Sequence, residues 1–276
     1  MKQFVFDLKE EYPFLAGGKL EGLTASTPWS DGREYKRPAV IVVPGGAYAM
    51  TSRREGAPIA SAFFARGFQV FILWYLVAPD GVRYPEQLLE LSSAVDYVKK
   101  HAEELYVNKD EVFVVGFSAG GHLTANLAVD YQSASALAGV ELDAKPTAVG
   151  LGYPVISDQY KYCGSHDNLL KGYTAEEKET LLKRVRLDKM VTKRTAPAFI
   201  WTTTTDDVVP PENALRFALA LTKKGISYEL HVYPEGRHGL ATGRFDVNDA
   251  VPEQEKISRW MGDCASYFRR FTVEKY

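Results

Sequence analysis

Short apolar runs rich in β-branched and aromatic residues recur along the chain, and the stretches between them carry apolar residues three and four apart. Ala39–Val43, Gln69–Tyr75, Val112–Val115, Thr147–Leu151, Ala198–Thr203 and Ser227–Tyr233 are too short for helices, and most lack polar alternation. Such runs predict strands buried on both faces of a parallel sheet. Gln3–Leu8 and roughly Lys19–Ala25 read as edge strands. Between the runs, Pro58–Arg66 predicts a helix closed by Gly67. Pro85-Glu86 opens another, with Leu88, Leu91, Val95 and Val98 forming one stripe. Glu212–Lys224, capped by Gly225, and Pro252–Phe271 complete the pattern. Strands alternating with helices predict an α/β fold: a mostly parallel central sheet with helices on both faces. About 154–194 differs, being rich in Lys, Glu and Tyr with helical spacing only over Thr174–Arg186. It predicts a small cap-like insertion near the site, and residues 1–276 read as a single domain.

The pattern is most informative at Val112–Gly121, where the strand runs into Gly116-Phe117-Ser118-Ala119-Gly120 and His122–Leu127 continues with helical spacing. This is Gly-x-Ser-x-Gly in its strand–turn–helix setting, which would hold Ser118 exposed at the carboxyl end of a strand. The following helix directs its positive end at that hydroxyl. A serine hydroxyl needs a base, and the base needs a partner that orients it.

Five histidines are available. His101 lies in a charged, solvated stretch, His122 begins the helix after Ser118, His166 falls in the insertion, and His231 sits inside a strand. His238, in Tyr-Pro-Glu-Gly-Arg-His-Gly, leaves the last strand at its carboxyl end, where ligands and reacting groups meet in open α/β sheets. Chain order then places an acid between serine and histidine. Asp206 and Asp207 both follow the strand Ala198–Thr203, and position alone leaves both open. Charge developing on a carbonyl oxygen needs aimed donors, each worth about 3–4 kcal/mol. The backbone N–H of Ala119 is one, and Pro44-Gly45-Gly46-Ala47-Tyr48 is placed to supply others.

Composition narrows the classes. The 276 residues are 46% hydrophobic and 25% charged with a net charge of −2, values of an ordinary globular protein without a nucleic-acid footprint. The longest apolar run, Val70–Ala78, falls well short of the ~20 residues of a membrane helix. The amino terminus reads as a strand, and Cys163 and Cys264 fit no zinc or redox spacing, so both are expected as free thiols and the location as cytoplasmic. No spacing implies a metal or other cofactor.

With these motifs, the chain resembles an α/β-hydrolase of the hormone-sensitive-lipase-like branch, close to bacterial esterases of the acetyl-esterase, acetylxylan-esterase or sugar-hydrolase-like kind. The resemblance runs from about residue 36 to 270 and rests on Gly-Phe-Ser-Ala-Gly-Gly-His-Leu, Asp-x-x-Val-Pro and Arg-His-Gly. Relatives carry His-Gly-Gly-Gly-aromatic where this chain has Pro44-Gly45-Gly46-Ala47-Tyr48. That match implies Gly46 and Ala47 as donors beside Ala119, and Asp-x-x-Val-Pro phrasing implies Asp206 as the acid. Trp74-Tyr75-Leu76-Val77-Ala78-Pro79 lacks the Arg of the common Tyr-Arg-Leu-Ala-Pro, and Glu90 stands where Asp is usual. The implied activity is that of a serine carboxylesterase on short, chiefly acetyl, esters, with carbohydrate as a candidate alcohol. Ser118, Asp206 and His238 would form the triad. No large lid is visible, and a rim of Tyr48, Arg53, Arg54, Trp74 and Tyr75 would meet the substrate. For Arg53-Arg54-Glu55 a solvated turn is the competing reading. The implied partner is a small-molecule ester, with neither nucleic acid nor membrane, and homo-oligomerisation is left open. The rival readings are a prolyl-oligopeptidase-like peptidase, a thioesterase, or a ligand-binding protein that keeps the fold.

Overall fold

The computed structural model describes residues 1–26, 31–32, 34–160, 164–249 and 254–273. The expected free thiol Cys163 and the start of the expected last helix, 252–253, lie outside them. Cys264 is a buried free thiol.

The predicted runs become the strands of one sheet. In chain order they are β1 (Lys2–Asp7), β2 (Lys19–Thr24), β3 (Arg37–Val43), β4 (Gln69–Trp74), β5 (Val107–Phe117), β6 (Val149–Gly152), β7 (Ala198–Thr203) and β8 (Tyr228–Tyr233). Their spatial order is β1-β2-β4-β3-β5-β6-β7-β8. The pairs β1/β2 and β2/β4 are antiparallel, and all pairs from β4/β3 to β7/β8 are parallel.

The helices are α1 (Ala57–Phe64), α2 (Glu86–Lys100), α3 (Ser118–Asp130), α4 (Ala134–Ala138), α5 (Gly164–Leu169), α6 (Ala175–Val185), α7 (Leu187–Met190), α8 (Glu212–Lys224), α9 (Gln254–Ile257) and α10 (Trp260–Arg269). Ile41, Val43, Val112 and Val114 pack with Leu88, Leu91 and Val95 of α2, Leu127 of α3 and Phe217 of α8. Their strand neighbours Val40, Val42, Phe113 and Val115 pack on the opposite face with Ile59 and Phe63 of α1 and Trp260 and Phe268 of α10. The absence of polar alternation in these strands is the result: successive side chains point to opposite faces, and both faces are covered.

Three expectations shift. Among the described residues of 154–194 there are three helices, α5, α6 and α7, and not one. α5 and α7 are too short to carry a readable stripe; Leu187 is nevertheless fully buried and its N–H bonds to Ile156 O at 3.0 Å. The strand expected at Thr147–Leu151 begins at Val149. Thr147 instead folds against the start of the Val112 run, its N–H donating to Val112 O and its Oγ1 accepting from Val112 N–H. The last helix is divided, α9 ending at Ile257 and α10 starting at Trp260.

Glu90 of α2 is fully buried, one of its oxygens accepts from Leu76 N–H at 2.9 Å, and the other has no partner. Among the described residues no cation acts on it, and burial followed by Glu86 and Asp80 raises its pKa to about 9. A carboxyl whose folded pKa exceeds its unfolded value contributes stability that is lost as pH rises toward that folded pKa. Glu90→Gln is therefore expected to flatten this loss: between pH 5 and 8.5 the wild type should lose on the order of 2 kcal/mol or more of urea-unfolding stability relative to the variant. Parallel losses in the two proteins would refute the assignment.

Candidate active site

The carboxyl ends of β3, β5, β7 and β8 deliver the site. β5 ends at Phe117, and Ser118 starts α3 with φ +52°, the left-handed conformation that turns its side chain out of the helix. Tight packing makes the turn possible. A Cβ on Gly120 would lie 2.2 Å from Val43 O and 2.3 Å from Pro44 O, and one on Gly116 2.2 Å from Gly120 O. Ser118 Oγ lies 2.8 Å from His238 Nε2, and His238 Nδ1 lies 2.8 Å from Asp206 Oδ2. Asp206 is buried, and its other oxygen accepts from the N–H groups of Val208 and Val209 at 3.0 and 2.8 Å. Asp207 is exposed, so the carboxylate beside the imidazole is that of Asp206.

The His238 loop is held from several sides. Thr203 Oγ1 donates to Gly236 O at 2.6 Å, and Arg54 donates to Gly239 O, Val247 O and Asn248 Oδ1. Arg54, expected at the rim, is exposed and at the same time a strut of this loop.

The loop 44–48 shows a complete carbonyl account. Pro44 O accepts from Tyr75 OH at 2.8 Å, Gly45 O from Ser52 N–H at 2.9 Å, and Gly46 O from the N–H groups of Ala49 and Met50. Ala47 O accepts from Asn168 Nδ2 of α5 at 2.8 Å, and Tyr48 O from Ala78 N–H at 2.8 Å. In a trans peptide the N–H points opposite to the carbonyl. The carbonyls of Gly45 and Gly46 are turned toward residues 49–52, so the N–H groups of Gly46 and Ala47 are directed the other way. Gly46 has φ +132°, and a Cβ there would fall 2.1 Å from Met50 O, so the turn admits only glycine. A Cβ on Gly45 would lie 2.9 Å from Ser118 Cβ, which sets this loop directly against the serine. Ala119 contributes its N–H at the first turn of α3, where helix donors have no internal partner.

Two residues expected on the rim lie inside. Tyr48 and Tyr75 are 1% and 3% exposed. Ala47 and Tyr48 both have positive φ, and the Tyr48 hydroxyl is buried 2.8 Å from His122 Nδ1. Tyr75 is occupied by Pro44 O. Both therefore support the loop and do not face a substrate. Arg53 and Trp74 do share an open recess of about 490 Å³ with Glu21, Thr51 and Ala57, where Trp74 Nε1 donates to Glu21 at 3.0 Å.

The other histidines have partners of their own. His101 pairs with Glu11 and Glu104 and is only partly solvated, and His231 lies 2.7 Å from Glu229. His122 and His166 both donate from Nε2 to Val185 O, at 2.9 and 3.2 Å, so Nδ1 of His122 accepts the Tyr48 proton. Asn168, Glu55 and Tyr153 also reach the site, through contacts 121, 10 and 88 residues apart in the chain, and carry no motif that would have announced them. Among the described residues no group of His, Cys, Asp and Glu is arranged to hold a metal ion, and no helix is long and apolar enough to cross a membrane.

A family model, BD-FAE, matches residues 29–221. The chain belongs to the BD-FAE family. Its sheet and flanking helices are those of an α/β-hydrolase. This BD-FAE chain is 33% identical over 234 residues to endo-1,4-beta-xylanase B of Butyrivibrio fibrisolvens, covering 83% of this chain and 35% of that protein. It is 27% identical over 228 residues to an acetylxylan esterase of Xylanibacter ruminicola, covering 81% of this chain and 45% of that protein. It thus spans between a third and a half of the length of these curated relatives. Among solved structures, an acetyl ester-xyloside bifunctional hydrolase from Caldicellulosiruptor lactoaceticus superposes with TM-score 0.80 and 28% identity, covering 97% of this chain and 96% of that one.

His122 supplies a prediction. Burial and the neighbouring His166 hold its pKa down at about 3, well below the ordinary 6.5. The unfolded chain then binds the proton first, so stability is lost as pH falls from about 6.5 toward 3. A His122→Gln variant is expected to be less stable at pH 8, yet to lose less of its remaining stability between pH 7 and 4.5. Denaturant midpoints across that range check the sign.

Proposed function

We propose that this BD-FAE protein is a carboxylic ester hydrolase acting through Ser118, His238 and Asp206 on short-chain, chiefly acetyl, esters, with an acetylated carbohydrate as the preferred substrate class. The observation that carries the reading is the unbroken pair of 2.8 Å contacts from Ser118 Oγ through His238 to Asp206. Ser118 Oγ attacks the ester carbonyl carbon while His238 Nε2 takes its proton. The oxyanion is met by the N–H groups of Gly46, Ala47 and Ala119. Asp206 holds the Nδ1–H tautomer and offsets the imidazolium charge. Collapse expels the alcohol, which takes the proton from His238 and leaves an acyl-Ser118 ester. Water then repeats the sequence and releases the acid. The same reading takes the chain as one α/β-hydrolase domain, with 154–194 as a cap-like insertion that braces the 44–48 loop through Asn168.

Carbohydrate is favoured by two observations. The relatives include an acetylxylan esterase and an acetyl ester-xyloside hydrolase. In addition, the recess of Trp74, Arg53, Glu21 and Thr51 offers one aromatic face ringed by polar groups. It opens two residues from Glu55, which itself bonds the 44–48 loop.

Ser118→Ala should lower turnover of acetylated xylo-oligosaccharides and of 4-nitrophenyl acetate by roughly 10⁶-fold. Unchanged activity would reject the Ser118 assignment, and a wild type that turns over neither substrate would leave the ligand-binding reading standing. Over aryl esters from acetyl to decanoyl, rates should fall with chain length. Cleavage of an aminoacyl anilide or an acyl thioester in place of these esters would favour the peptidase or thioesterase. Trp74→Ala should raise KM for the acetylated oligosaccharide by about tenfold while sparing 4-nitrophenyl acetate, the loss of a stacking face being worth on the order of 1–2 kcal/mol. Equal effects on both substrates would remove the sugar from that recess.

A further inference from the structure

Glu55 ends the short turn Arg53–Glu55 before α1, is 4% exposed, and has no part in the chemistry above. One oxygen accepts from Gly45 N–H at 2.8 Å, and the other accepts from Tyr153 OH at 2.6 Å. Tyr153 follows β6, and its own oxygen accepts from Ala241 N–H at 2.8 Å, three residues beyond His238. Its ring stands edge-on to the His238 imidazole, with centroids 5.0 Å apart. Tyr153 and Ala241 both have positive φ, 35° and 51°. Two strained non-glycine residues thus meet at one hydroxyl, and such strain persists only where surrounding contacts enforce it.

We infer that Glu55, working through Tyr153, is a positioning residue that joins the 44–48 loop to the His238 loop and whose carboxylate favours the imidazolium formed at His238. The inference rests on the Ser118–His238–Asp206 reading.

The proton inventory supports the charged form. Tyr153 has one hydroxyl proton, and Ala241 N–H already occupies its oxygen, so that proton goes to Glu55. Glu55 then accepts on both oxygens, which is carboxylate chemistry. Burial pushes the Glu55 carboxyl up, while the Tyr153 and Gly45 donors and the charges of His238 and Arg54 pull it back. The titratable and charged groups around it are Arg54 on its own turn, Tyr75 on the segment after β4, Tyr153 after β6, and His238 on the loop after β8. Arg54 spends its hydrogen bonds on Gly239 O, Val247 O and Asn248 Oδ1, so it reaches the carboxylate through charge alone, as His238 does. A buried network of this kind orients both loops through two hydrogen bonds, and any member left unsatisfied is costly.

The test uses Glu55→Gln, Tyr153→Phe, the double variant and Ser118→Ala, assayed on 4-nitrophenyl acetate from pH 5 to 9 with folding checked by circular dichroism. Glu55→Gln cannot accept at its amide nitrogen. It is expected to lower kcat by about 10- to 100-fold with KM within about twofold, the pattern of support felt in the transition state. Loss of the negative charge disfavours the imidazolium, so the acid limb of kcat/KM should move to lower pH. Tyr153→Phe should lower kcat less, and the double variant should be no worse than Glu55→Gln because both remove one connection. A folded Glu55→Gln enzyme with unchanged kcat and an unmoved acid limb, or strictly additive losses in the double variant, would overturn the proposal. If Glu55→Gln does not fold, Tyr153→Phe decides: selective loss of kcat sustains the role and unchanged kcat ends it. Ser118→Ala separates the two levels, since retained activity there defeats the reading on which the proposal rests, whatever Glu55 does.

Discussion

The site depends on a contact between two pieces of bare backbone. At the carboxyl ends of β3 and β5 the first turn of α3 presses against Val43 O and Pro44 O, with Gly120 filling a space that no β-carbon can enter. That approach seats Ser118 beside Gly45 and brings the 44–48 loop and the start of α3 to the same point. An ester carbonyl needs a nucleophile at its carbon and N–H donors within about 3 Å of its oxygen. Side chains between the two strands would hold them apart. The elbow glycines are therefore spacing elements first, and the chemistry follows from the separation they permit.

Having brought the loop close, the protein must also keep it turned the right way. Five successive carbonyls, from Pro44 to Tyr48, are each accepted into a hydrogen bond, and their donors come from the segment after β4, the loop itself, the Val77-Ala78 segment and α5 of the insertion. Orientation of the Gly46 and Ala47 N–H groups is a consequence of this arrangement, while Gly45 N–H is held directly by the Glu55 carboxyl. The loop's residues Ala47 and Tyr48 are both in the left-handed region, a conformation that isolated chain would leave readily. Buried partners such as the Tyr48–His122–Val185 relay hold it in place. The loop is thus set in advance by buried contacts.

The placement of Tyr48 and Tyr75 shows where reading along the chain goes astray. Both adjoin motif residues, and aromatic side chains beside a site look like substrate contacts. Positive φ at Ala47 and Tyr48 instead leaves the Tyr48 ring beneath the loop, and Tyr75 is consumed by Pro44 O. Trp74, adjacent to Tyr75, does line open space. Adjacent residues on a strand end face opposite sides, so a one-residue difference in position separates a wall from a prop. Residues 154–194 carried the same ambiguity: α5 and α7 have too few turns for a stripe to show, yet Leu187 packs into the core and Asn168 bonds Ala47 O.

Local information was enough for the parallel strands, for the helices with full stripes, and for Ser118 with its glycines, since each depends on residue spacing within about a dozen positions. Position after the last strand pointed to His238 as candidate base, and chain order then reduced the candidate acid to an Asp pair. The Asp-x-x-Val-Pro phrasing favoured Asp206, and the folded chain supplies the physical difference from its neighbour: burial, and two backbone N–H groups that converge on the carboxylate. The Glu55–Tyr153–Ala241 bridge and the Asn168 brace were beyond the sequence. Their members lie tens to more than a hundred positions apart, belong to no periodic pattern, and acquire meaning through distances that the sheet order alone creates.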